Sequence, residues 1–195
     1  MNIEYFNEFL NNLNKGIKTK AKEYITKFIS SFENFEEKEK WTMGYLQKLT
    51  NNNNLRIRNE LFEEIVFPVL INGYNNKNIV SMIWLVKLSQ NYYQNNRIWE
   101  KMNYKTDYQI IKECYELEPN NNEIIELYLE LEIEKINFSI HEWPYGILFG
   151  NSFATKEECK LLLEKVEFVK GLDQHQKYKQ YISDYKSKIL EYIEK

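Results

Sequence analysis

Residues 79–88, IVSMIWLVKL, place apolar side chains on nearly every side of any helix they form. A helix without a polar face must be covered on most sides by other elements, so this segment is expected to be the central helix of a packed core. Six glycines and three prolines in 195 residues favour long helices over a many-turned β fold. No linker rich in Gly, Pro or Ser divides the chain, and residues 1–195 read as a single all-helical domain.

Apolar residues recur at three-to-four-residue spacing along most of the sequence, the pattern of helices with one buried face. Tyr5, Phe6, Phe9, Leu10 and Leu13 mark a first short helix that Lys15-Gly16 ends. Ile17, Ala21, Tyr24, Ile25, Phe28, Ile29, Phe32 and Phe35 mark a second, and the polar run 36–40 either continues or breaks it before a stripe of Trp41, Tyr45 and Leu49. The asparagines at 51–54 read as a loop. Leu61, Phe62, Ile65, Val66, Val69 and Leu70 indicate a helix with Pro68 in its interior. The missing N–H and the clash with the carbonyl four residues earlier predict a kink near 64–67, and Gly73 is placed to close this helix. Residues 90–96 read as a polar turn, and Ile98, Trp99 and Met102 as a short turn of helix.

Thr106-Asp107-Tyr108-Gln109 has the spacing of a capping box and opens a helix with Ile110, Ile111, Cys114 and Leu117 inside. Pro119-Asn120 stops it, and Asn120 is placed to cap the next. The stripes Ile125, Leu129, Ile133, Ile136, Ile140 and Ile124, Leu127, Tyr128, Leu131 predict a helix over 121–138, although Leu127, Leu129, Leu131 and Ile133 also alternate as in a strand. Thr155-Lys156-Glu157-Glu158 is a second capping box, with Cys159, Leu162, Leu163, Val166 and Val169 inward and Gly171 as a left-handed cap. A last helix, from about residue 173, turns Tyr178, Tyr181, Ile182, Tyr185, Ile189, Tyr192 and Ile193 toward the bundle. The expected fold is all-α, an irregular bundle or short helical solenoid of roughly eight to ten helices built around 79–88 and 124–136.

Several chemistries are disfavoured. A net charge of −3 gives no overall attraction to nucleic acid or anionic membranes. No apolar window is long enough to span a bilayer, and MNIEYFNEFLNN lacks the basic-then-apolar order of a secretory signal. Cys114 and Cys159 fall on apolar stripes without metal-ligand spacing and read as buried, reduced thiols of a cytoplasmic protein. His141-Glu142 begins the zinc-protease pattern H-E-x-x-H, but Tyr145 stands where the second histidine belongs, and the other histidine is His175. Neither a phosphate-cradling glycine loop nor G-x-S-x-G is present. No metal or cofactor is expected, and the chain reads as non-enzymatic. The alternatives are an enzyme with a dispersed active site in the helical core and a helical-repeat scaffold for peptides.

Two surface features remain as candidate partner contacts. Glu126, Glu130 and Glu134 stand one turn apart on the predicted helix, with Glu123 and Glu132 beside them. Like charges at that spacing cost only a few tenths of a kcal/mol, so a solvated face explains them, and a docking strip for a basic partner is the functional reading. His141, Glu142, Trp143 and Tyr145 form the second feature. Trp143-Pro144-Tyr145-Gly146 fits a type I turn whose two rings anchor it to the core; read functionally, the same rings are typical of interface hot spots. Leu117-Glu118-Pro119-Asn120-Asn121 followed by an apolar helix resembles the inter-repeat turn of tetratricopeptide proteins, without their usual Trp, Gly and Ala positions. In general character the small, helical, acidic-faced chain resembles bacterial immunity proteins, which neutralise a cognate toxin by covering its active surface. That resemblance implies a protein partner, a toxin domain with a basic surface, met by Glu126, Glu130, Glu134, His141, Glu142, Trp143 and Tyr145.

Overall fold

The computed structural model of the chain describes residues 1–49 and 57–194; the loop expected at 51–54 lies outside them. The described residues are all-α apart from one two-residue hairpin. The chain divides into two compact units, Met1–Ile110 and Ile111–Lys195.

The first unit begins with α1 (Ile3–Asn14), α2 (Lys18–Ser30) and α3 (Phe35–Leu49). Gly16 takes the left-handed φ of +73° that separates α1 from α2, a backbone shape open to glycine without strain. The rings these helices turn inward interlock. Trp41 stacks on Tyr45 at 4.8 Å, and the edges of Phe28 and Phe6 meet it at 5.1 and 5.3 Å. Such pairs add about 0.5–1.5 kcal/mol to what burial alone supplies. The second helix is shorter than its stripe suggests. It stops at Ser30, Ser31 Oγ donates to the Phe28 carbonyl at 2.8 Å, and Asn34 Oδ1 accepts the Glu37 N–H at 2.9 Å to open α3. Residues 36–40 are thus the first turns of α3, neither continuing nor breaking α2, and Phe35 is exposed.

The predicted disturbance at Pro68 takes a definite form. α4 (Asn59–Leu61) passes into a π turn (Phe62–Val66) before α5 (Phe67–Asn75), and the Phe67 N–H donates to the Phe62 carbonyl five residues back. Pro68 has no N–H for the carbonyl of Glu64, four residues earlier; Lys38 Nζ of α3 donates to that carbonyl at 3.4 Å. Gly73 does not end the helix. It lies inside α5, and a Cβ there would come within 2.1 Å of Ser81 Oγ on α6 (Ile79–Lys87), so its role is to let the two helices approach. Met82 to Val86 and Leu88 are buried in sequence, as expected of a core helix, with Val80 the exposed exception. The supposed polar turn after it contains α7 (Ser89–Tyr93), which buries Tyr92, and Asn95 then caps α8 (Asn96–Lys101).

Both legs of the first capping box are formed. Thr106 Oγ1 accepts the Gln109 N–H at 3.2 Å, and Gln109 Oε1 accepts the Thr106 N–H at 2.9 Å, starting α9 (Asp107–Leu117). Leu117 is exposed, not inward.

In the second unit α10 (Asn122–Ser139) resolves the helix-or-strand ambiguity as helix. Its cap is Asn121, one residue later than expected, with Oδ1 accepting the Glu123 N–H at 3.1 Å. A short hairpin follows, β1 (Leu148–Phe149) paired antiparallel to β2 (Ser152–Phe153). Then come α11 (Lys156–Leu172), opened by the complete Thr155 capping box, and α12 (Lys179–Glu194). Gly171 is helical and α11 runs past it. The turn after α11 is held by the buried Asp173, whose carboxylate accepts the N–H groups of Lys177 and Tyr178 at 2.8 and 2.7 Å, and α12 begins at Lys179, six residues after the start expected near 173 and one after the first ring of its stripe. No helix among the described residues is long and apolar enough to cross a membrane.

Candidate functional site

The second unit holds both sets of candidate contacts, and α10 organises it. Ile124, Ile125, Tyr128, Leu129, Ile133 and Ile136 are buried along one side, while Glu126, Glu130 and Glu134 form an exposed row. Lys177 approaches this row, with Nζ 4.0 Å from Glu130 Oε1. The ammonium is held above its ordinary pKa first by the Tyr178 phenol and less by Glu130 and Glu126. An exposed pair of this kind is worth little, so the row keeps most of its negative character. Beside it lies a cavity of about 160 Å³ lined by Glu126, Glu130, His175 and Asp173. Asp173 is committed to the two backbone N–H groups described above.

The turn after α10 differs from the type I turn expected. The Trp143–Pro144 peptide is cis, and the Tyr145 N–H donates to the Glu142 carbonyl at 2.8 Å. The four-residue turn is therefore Glu142 to Tyr145 with the cis proline third, which is the type VI arrangement. His141 Nδ1 lies 2.9 Å from Glu142 Oε1, both groups exposed. Trp143 is half-buried, as an anchor should be. Tyr145 is no anchor: it is 83% exposed at the tip of the turn. Gly146 is buried directly behind it, where a Cβ would lie 2.4 Å from the Phe153 ring of β2.

Glu132 belongs to a different place from its acidic neighbours. Each helical residue advances by about 100°, so a residue two positions from Glu130 and Glu134 projects nearly opposite to them. Glu132 is 2% exposed and takes the Lys165 ammonium of α11 at 2.5 Å. That ammonium also lies 4.7 Å from the centre of the Phe168 ring and 5.6 Å from that of Tyr128, within cation–π range. Nearby, Ser139 Oγ donates to the Leu148 carbonyl at 2.8 Å and sits 2.9 Å from Tyr185 OH. The serine has spent its one proton on Leu148, so Tyr185 is the donor between them. Burial raises the Tyr185 pKa. The phenol thus stays protonated and ties α12 to α10 and the hairpin.

These groups floor a cleft of about 480 Å³ between α10, the hairpin and α11. Sequence reasoning missed it, having grouped Glu132 with the solvated strip. The signal was present: Glu132 lies four residues from both Tyr128 and Ile136, on the apolar stripe, and Lys165 interrupts the α11 stripe between Leu162 and Val166. The hairpin was also missed, although Gly150-Asn151 between two short apolar runs is a hairpin-turn dipeptide.

Cys114 and Cys159 are buried and free. Burial pushes the Cys114 thiol up to about 12 and raises that of Cys159 as well, so neither is poised as a nucleophile. No group of three His, Cys, Asp or Glu side chains able to hold a metal ion occurs among the described residues. No protein family, curated protein or solved structure matches this chain.

Proposed function

We propose that this chain is a non-enzymatic protein-binding module that engages its partner through the exposed side of α10 and the turn that follows. The observation that carries the reading is Tyr145, a large ring held 83% exposed on a hydrogen-bonded turn. Tyrosine offers much contact area for few rotatable bonds, and such rings dominate binding hot spots. Glu126, Glu130 and Glu134 add a row of exposed carboxylates suited to a basic surface. The finer form of the proposal is an immunity-type role, in which the partner is a cognate toxin domain with a basic surface; the general-character resemblance noted above supports it.

A photo-crosslinking amino acid placed at Tyr145, at Glu130 and at the control position Lys20 tests the reading in the cells that make the protein. One protein should be captured from the first two positions and not from Lys20. With that protein purified, Tyr145→Ala combined with charge reversal of Glu126, Glu130 and Glu134 should weaken binding by more than about tenfold, as loss of a hot spot does. A change of less than about threefold, or equal capture from Lys20, would sink the proposal.

A further inference from the structure

The turn between α1 and α2, in the first unit, gathers positive charge. Lys15, Lys18, Lys20 and Lys22 fall within eight residues that include no acid. All four are exposed, and among the described residues no ion pair or side-chain hydrogen bond holds any of their ammoniums. Glu23, the next residue, is engaged by Lys27 at 2.6 Å, and Lys20 is the least of the influences on it. The chain as a whole stands at −3, so everything outside these four lysines sums to −7. Charges more than about 8–10 Å away are largely screened at physiological salt, so a surface that meets this turn senses the local excess and not the overall deficit.

Helix stability does not account for the lysines. Lys18 and Lys20 stand in the first turn of α2, which has neither an acid there nor a side-chain cap, and cations at that end oppose the helix dipole. Ile17, at the tip, is 41% exposed on a fixed turn: the Gly16 and Ile17 N–H groups donate to the Leu13 and Asn12 carbonyls at 3.0 and 2.9 Å. We propose that this turn docks on an anionic phospholipid surface, with the four ammoniums at the level of the lipid phosphates and Ile17 entering the boundary beneath them. Residues 15–22 hold neither an arginine nor an aromatic ring, the groups that grip nucleic-acid phosphates and bases. An exposed aliphatic tip gains only where an apolar layer lies under the negative charge. The assignment does not rest on the protein-binding reading, which concerns the second unit and is tested with a different probe.

Co-sedimentation of the full chain with vesicles tests it. Phosphatidylcholine vesicles containing roughly a third phosphatidylglycerol should bind half the protein near about 1 mM accessible lipid in about 0.1 M salt, given the attraction per lysine usual at such surfaces. Pure phosphatidylcholine should bind at least about tenfold more weakly, and about 0.5 M salt should release the protein from the anionic vesicles. Lys15→Gln, Lys18→Gln, Lys20→Gln and Lys22→Gln together should weaken binding by more than about tenfold, while the same change at the exposed Lys101, Lys156, Lys160 and Lys179 should leave it within about threefold. Both native thiols are buried, so Ile17→Cys supplies an accessible one for an environment-sensitive dye. Its emission should shift to the blue on anionic vesicles, and the same dye on Ser187→Cys should not respond. Equal binding to neutral vesicles, survival in high salt, indifference to the first lysine set, an unmoved dye at position 17, or tighter binding of a DNA or RNA duplex at equal phosphate concentration would each overturn the proposal. The salt and dye measurements decide it if the fourfold variant does not fold.

Discussion

α6 and α10 are the two helices that the sequence marks as most deeply packed, and they are buried in different ways. α6 hides every side chain from Ser81 to Val86, with no charge among them. α10 buries one side only, and that side includes the carboxylate of Glu132. A segment apolar all round needs covering and nothing more. A segment that carries an acid on its apolar stripe needs a partner of opposite charge from another element. Burying two charges costs several kcal/mol before their attraction repays it, so the first core tolerates loss of volume badly, and the second tolerates loss of one partner badly.

The largest effects should set these two kinds of core apart. Leu85→Ala removes a fully buried side chain of α6 and should cost about 3–5 kcal/mol in urea denaturation, with no charge-removing second substitution restoring it. Lys165→Met removes the ammonium that faces the buried Glu132 carboxylate and should cost about 3 kcal/mol, the low end for a broken buried pair because the lysine is partly exposed. Adding Glu132→Leu should then recover most of that loss. Were the double variant as unstable as the single, the contrast between the cores would collapse.

Gly73→Ala should cost about 1–3 kcal/mol, because its Cβ would press on Ser81 of α6, and Ser81→Gly should relieve it. Thr155→Ala should cost about 1 kcal/mol by removing a formed capping box. The smallest effect near neutrality is on pH dependence. Both buried thiols belong to the second unit and have raised pKa values. Above about pH 8.5, the free-thiol value, the unfolded chain releases protons that the native chain keeps, so ν_U falls below ν_N and stability declines with rising pH. The thiol contribution is complete below that pH and is lost for Cys114 as pH climbs toward about 12. Urea titrations between pH 8 and 10 should show this decline, and Cys114→Val should flatten it. The half-buried phenol of Tyr45 and the buried one of Tyr92 in the first unit, raised chiefly by burial, can add their share only above the ordinary tyrosine value near pH 10.

Local rules made much of this legible. The Thr106 and Thr155 boxes, the core helix at 79–88 and the helical choice for α10 depend on residues close in sequence. Other features depend on residues far away. Gly73 looks like a helix terminator until Ser81 is seen against it, and the Phe32 and Phe35 stripe keeps its period across a break set by Ser31 and Asn34. The sequence pattern placed the turn after α10 one residue late, because it does not distinguish a cis from a trans bond before Pro144. Of the surface candidates, the exposed glutamate row was readable from spacing alone. The Glu132–Lys165 pair was half readable, as a charge on each of two apolar stripes, but only the packing of α10 on α11 joins them.

Pro68 is a flaw that α5 carries in its own backbone, and the flaw has become a fastening. Because the proline leaves the Glu64 carbonyl without its customary donor, Lys38 can reach across from α3 and take that acceptor. A residue with an N–H in its place would compete with the lysine for the same oxygen and weaken that tie. What stiffens the single strut would loosen the joint between the two.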